Sequence, residues 1–204
     1  MAIVNRHKEA IVVAAVRLFR KHGYASTGLL EILKESEAPR GSLYHHFPGG
    51  KAAIGVAAIQ AAGKTVLATL QKLAAETNNP AELVARYFSM VAGWMEESSF
   101  HDGSPFTTIV LETVPQNVQL RQAADAVIKS WAEVLSSELL AAGVSGQKAI
   151  RLGYFTFGAL EGALIHSRVK MDKAPILQAS QYMKILYAEA LETRQNREKR
   201  KALG

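Results

Sequence analysis

The stretch PRGSLYHHFPGGK, Pro39 to Lys51, sets Arg40, Ser42, Tyr44, His45 and His46 within a few positions of one another. These groups donate and accept hydrogen bonds, but they do not make a metal pair, because the adjacent His45 and His46 leave a helix in different directions. Wound at about 100° per residue, Leu43 and Phe47 share one face and point inward. Gly41 and His45 then lie roughly opposite, Ser42 and Tyr44 flank them, and Arg40 stands at the exposed N-terminal end. That outer face suits a DNA major groove. Arg40 offers a planar fork to guanine O6 and N7. Gly41 lets backbone come close, while Ser42, Tyr44 and His45 reach phosphate oxygens and fix register. Thr27, with the N–H groups that open the preceding helix, is expected to hold another phosphate, and Lys51 a further one.

A helix can read a groove only if neighbouring elements present it. Ile11, Ala15, Leu18 and Phe19 recur at helical spacing over residues 6–22, with Lys8, Arg17 and Lys21 off the stripe, and Gly23 ends the run. Thr27 is placed to cap a second helix, Gly28 to about Lys34, which buries Leu30 with Leu33 or Ile32 and turns Glu31 and Lys34 outward. Ser36-Glu37-Ala38 makes a turn, and Pro39 suits the first position of a third helix because its missing N–H costs nothing there. A helix, a tight turn and a second short helix form helix-turn-helix geometry. Beyond residue 50 the pattern predicts longer helices: 51–76, Pro80 to about Ser98, Pro105 to about Thr113, Asn117–Ala142, Gln147–Lys170 and Pro175–Arg197. The chain is expected to be all-α, with about nine helices.

Composition narrows the function classes. The 204 residues are 49% hydrophobic and carry a net charge of +6. Residues 1–51 hold eight Lys or Arg against four Asp or Glu, and residues 192–204 hold five against two, so a basic head and a basic tail flank a nearly neutral middle. Clustered positive charge at a chain end fits nucleic-acid contact. With no cysteine there is neither a disulfide framework nor a thiolate metal site. A Gly-rich phosphate loop, H-E-x-x-H and G-x-S-x-G are all missing, so the reading is of a protein that is not an enzyme and needs no cofactor. Arg17, Arg20 and Lys21 interrupt the apolar residues near the N-terminus, which makes that segment neither a signal peptide nor a membrane span. A cytoplasmic location is expected, with no membrane partner.

The segment AAVRLFRKHGYASTG…RGSLYHHFPGGK, about residues 6–54, resembles the DNA-binding domain of TetR-type transcriptional regulators, and its PGGK ending is similar to the LmrA/YxaF-like branch. It departs from the family pattern at Gly28, Glu37, Ala38 and Pro39. The resemblance implies a homodimer that represses by binding a palindromic double-stranded DNA operator and is released when a small hydrophobic effector enters the second domain. Residues 1–50 would then bind DNA, and residues 51–204 would bind effector and dimerise. A DNA-binding regulator without a small-molecule effector, controlled by a protein partner or acting as an activator, is the alternative.

In the second domain the apolar stripes give candidate effector contacts: Phe88, Val91 and Trp94, then Phe106, Trp131 and Phe155. Glu112 within TIVLETV and Glu161 within FGALEGALI lie among apolar neighbours, so each carboxylate needs either an internal partner or a polar group of a ligand. Gly158 and Gly162, four apart, let another helix approach closely. With Ile176, Met183, Leu186 and Tyr187 on the last helix they fit the four-helix dimer seam that the resemblance implies; an intrachain crossing is the other option.

Overall fold

The computed structural model describes the backbone of residues 2–202 and the side chains of residues 6–192. Side chains of the basic tail from residue 193 onward lie outside the described residues. Nine α-helices and no strand are found among the described residues: α1 Ala2–His22, α2 Leu29–Ser36, α3 Arg40–His46, α4 Gly50–Glu76, α5 Pro80–Glu97, α6 Pro105–Thr113, α7 Val118–Ala141, α8 Gly146–Lys170 and α9 Ala174–Ala202. Local chemistry sets the boundaries. Asn79 caps α5 by accepting from the Ala81 N–H, and Ser104 caps α6 by accepting from the Thr107 N–H, each followed by proline at the first position.

The chain falls into two compact units, Met1–Thr65 with Asp102–Val127, and Val66–His101 with Ile128–Gly204. In the first, α1 packs on α2, α3 and α6. Its core consists of Ile11, Ala15, Leu18 and Phe19 from α1, Ile32 and Leu33 from α2, and Leu43 with Phe47 around α3, all buried. Burying these side chains is what makes such short helices stable, since two turns of helix alone are not. Leu30, expected inside, is 68% exposed: the buried face of α2 runs through Ile32 and Leu33 instead.

In the second unit α9 packs on α5 and α8. Trp131 of α7 lies tilted against Phe157 of α8 at 5.1 Å between ring centroids, and Tyr87 of α5 meets the same Phe157 edge-on at 6.4 Å. At Gly153 of α8, α7 comes close. A Cβ there would stand 2.6 Å from Ser136 Oγ and 2.7 Å from the Ala132 carbonyl oxygen, so only glycine allows this approach. Ser136 Oγ spans the crossing, donating to the Ala132 carbonyl at 2.6 Å and lying 3.3 Å from that of Ala149.

Candidate nucleic-acid interface and regulatory residues

The turn between α2 and α3 is built by side chains that fold back on the backbone. Ser36 Oγ donates to the Leu33 carbonyl and accepts from the Ala38 N–H, while Glu37 takes a left-handed conformation with φ of 52°. Ala38 is buried beneath the turn, and Pro39 is the residue from which α3 starts. A left-handed residue with a Cβ costs roughly 1 kcal/mol relative to glycine. Glu37→Gly is therefore expected to raise stability by about 0.5–1 kcal/mol in a urea melt, because it relieves that strain.

On α3, Leu43 is fully buried and Phe47 nearly so, whereas Arg40, Gly41, Tyr44 and His45 are exposed and Ser42 is half-buried. Tyr44 is 52% exposed although it is a large aromatic on a short helix. A Cβ on Gly41 would meet nothing within 4 Å, so that position faces open space. Arg40 makes no ion pair among the described residues, and its fork is free. The outer face is thus a row of donors and acceptors with a smooth spot at its centre, which is what a base edge and two phosphate rows require.

Thr27 corrects the sequence reading. It is fully buried, and its hydroxyl donates to the Gly23 carbonyl at 2.7 Å, so it neither caps α2 nor offers its side chain to a phosphate. The cap position is Gly28, which has no side chain; the Glu31 carboxylate instead accepts from the Gly28 N–H at 3.4 Å. Lys51 is half-buried. Its Nζ donates to the Ala25 carbonyl at 3.1 Å and sits 4.6 Å above the Tyr24 ring. Burial lowers the Lys51 pKa, opposed by the charge of Glu112, and burial followed by the same carboxylate raises that of Tyr24.

Glu112 finds an internal partner. Its carboxylate accepts from the Tyr24 N–H at 3.2 Å and from the Ala25 N–H, which ties α6 to the turn between α1 and α2. The sequence marked Glu112 as needing a partner but not which one, because backbone donors 87 and 88 positions away leave no trace in residue type. Beside it, Arg20 of α1 pairs with Asp102 at 2.9 Å. In the second unit Glu161 lies near Tyr87, whose pKa is raised chiefly by burial and secondarily by that carboxylate. Of the other residues considered for effector contact, Phe88, Val91 and Trp131 are buried, as is Phe106 in the first unit, while Trp94 and Phe155 are 45% and 57% exposed.

The small-residue pair on α8 is open as well. A Cβ on Gly158 or Gly162 would meet nothing within 4 Å, so no other helix crosses there among the described residues. Around these glycines Tyr154, Phe155, Ile165 and Val169 are all exposed. On α9 the residues named from sequence turn inward. Ile176, Met183 and Tyr187 are buried and Leu186 half-buried, and the Tyr187 hydroxyl shares a hydrogen bond of 2.9 Å with Thr156, its pKa pushed up to about 12 by burial. Among the described residues, the exposed large apolar side chains of α9 are Tyr182 and Ile185.

Residues 11–58 match the bacterial regulatory proteins of the tetR family, and residues 80–182 match the C-terminal domain of LmrA/YxaF-like transcriptional regulators. The chain belongs to the TetR family, in its LmrA/YxaF-like branch. TetR-family relatives include the uncharacterized HTH-type transcriptional regulator YxaF of Bacillus subtilis, 33% identical over 88% of this chain and 94% of the relative. The HTH-type transcriptional regulator LmrA of the same organism is 31% identical over 85% and 92%. Among solved structures, regulatory protein TetR from Rhodobacter sphaeroides superimposes with a TM-score of 0.76 at 23% identity, over 88% of this chain and 97% of that one. The reduced form of NemR from E. coli does so with a TM-score of 0.75 at 21% identity, over 88% and 96%. This TetR-family chain is a transcriptional regulator with a helix-turn-helix formed by α2 and α3.

Proposed function

We propose that this regulator is a cytoplasmic repressor that binds a palindromic operator as a homodimer and is released by a small hydrophobic effector. The observation that carries the DNA-binding half is the division of α3 into a buried Leu43–Phe47 face and an exposed face of Arg40, Gly41, Ser42, Tyr44 and His45. Arg40 reads a base edge, while Ser42, Tyr44 and His45 hold phosphates; Lys51 supports them through the Ala25 backbone and the Tyr24 ring. Residues 1–50 serve DNA binding, and residues 51–204 serve effector binding and dimerisation. The exposed α8 face around Gly158 and Gly162, with Tyr182 and Ile185 of α9, supplies an apolar, closely approachable surface for a second copy.

For the effector, the aromatic cluster of Tyr87, Trp131 and Phe157, with Glu161 beside Tyr87, offers flat apolar walls and one polar group. Control by a protein partner instead of a small molecule is favoured by two features: this cluster is close-packed, and a depression in the same unit is an open groove of about 560 Å³ between α4 and α7. Tryptophan emission tests whether an effector occupies the cluster. In the Trp94→Phe variant only Trp131 remains. A compound that releases the protein from DNA is expected to quench or shift Trp131 emission at the same concentration; release with unchanged emission would place the effector outside this cluster.

A further inference from the structure

We infer that Glu112 is a positioning residue for DNA binding, one that holds the turn between α1 and α2 and thereby sets the helix-turn-helix in its reading geometry; this rests on the DNA-binding reading above. The geometry has three parts. First, one carboxylate takes two consecutive backbone donors, Tyr24 N–H and Ala25 N–H, at the place where α1 has ended and the chain turns toward α2. Charge-assisted bonds of this kind are stronger than neutral ones, and two on one carboxylate fix orientation as well as distance. Second, Gly23 is shaped for the arrangement. It has φ of +89°, and a Cβ on it would stand 2.8 Å from Glu112 Oε1. Third, the peptide that follows is held as well: the Ala25 carbonyl accepts from Lys51 Nζ at the start of α4. The Ala25 backbone is therefore gripped from α6 by an anion and from α4 by a cation. Two residues further on, Thr27 closes the turn onto Gly23, and Gly28 opens α2. A shift of this peptide moves the start of α2 and, through the α2–α3 turn, the reading face of α3.

The sign of the effect separates positioning from plain surface charge. Removing a negative charge from a protein that binds a polyanion tightens binding through the general field. Loss of a positioning residue does the opposite, because DNA must then pay to order the turn.

The experiment compares wild type, Glu112→Gln and Glu112→Ala of the full chain on a genomic duplex chosen by wild-type binding, at two salt concentrations, with amide hydrogen exchange at Tyr24 and Ala25 in the DNA-free proteins. The expected result is a loss of affinity of roughly tenfold for Glu112→Ala and a smaller one for Glu112→Gln, which keeps one carbonyl acceptor. The salt slope should stay that of wild type, since no phosphate contact is removed, and both amides should exchange faster in the alanine variant. Affinity that is unchanged or tighter in both variants overturns the inference, as does unaltered exchange at the two amides. If wild type itself selects no duplex over random DNA, the DNA-binding reading fails and the inference falls with it, a result distinct from a variant that binds as wild type does.

Discussion

Arg40→Ala is expected to cost 10- to 100-fold in affinity for a selected operator duplex while leaving binding to random DNA nearly unchanged apart from one charge. A bidentate arginine–guanine pair discriminates by about 1–3 kcal/mol, and the fork that makes it is fully deployed here, exposed at the start of α3 with no ion pair among the described residues to give up. The fold should be untouched, because Arg40 contributes nothing to the Leu43–Phe47 face that anchors the helix. Arg40→Lys sharpens the test. Lysine keeps the charge but loses the planar fork, so it should restore non-specific binding and the salt slope without restoring preference for the operator. Binding isotherms on the operator and on a random duplex of equal length, at two salt concentrations, distinguish these outcomes.

Phe155→Glu is expected to break the proposed homodimer, raising its dissociation constant by at least about 30-fold, and to weaken operator binding with it. Phe155 is 57% exposed on the face of α8 that also presents Gly158, Gly162, Ile165 and Val169, a surface with no cover at the two glycines among the described residues. A carboxylate placed there must be desolvated for a second copy to dock. Gly158→Leu reaches the same end by shape, since its side chain would hold the two helices apart without adding charge. Sedimentation at several concentrations reads the effect. A variant that remains a dimer down to the wild-type limit would put the seam on another face. Operator affinity should fall in step, because two α3 helices linked in one molecule bind two half-sites with an effective-concentration gain that separate monomers lack.

The helices and the reading face were legible in the sequence because both rest on periodicity and local chemistry. Leu43 and Phe47 on one side of α3, with Arg40, Tyr44 and His45 on the other, follow from a spacing of four in a short helix, and burial agrees. The prolines at positions 80 and 105 open α5 and α6 for reasons that involve only their immediate neighbours. Thr27 shows the limit of local reasoning. Threonine is a good cap by type, yet its hydroxyl turned back to Gly23 and the cap fell to Gly28, an outcome decided by how the turn packs. Leu30 lost its expected burial in the same way, since α1 packs on α2 and the buried side of α2 carries Ile32 and Leu33. On α9, the residues with the strongest apolar pattern, Ile176, Met183 and Tyr187, went to the intrachain core, and Tyr182 and Ile185 were left outside. Periodicity identifies an apolar face but not what lies against it. The grip of Glu112 on the Tyr24 and Ala25 amides was invisible for a stronger reason: its partners are backbone atoms, which every residue possesses.

Footprinting is the sharpest check on the proposal that two copies of α3 read DNA together. Wild-type protein is used to select duplexes from genomic fragments around its own gene, and the selected duplex is probed with hydroxyl radicals in the bound state. Two protected patches related by a dyad are expected, about 34 Å apart or a small multiple of it, with protection that weakens as salt rises and disappears with Arg40→Ala. A single unpaired patch, or no fragment preferred over random DNA, would contradict it and leave the exposed face of α3 as a surface for some other partner.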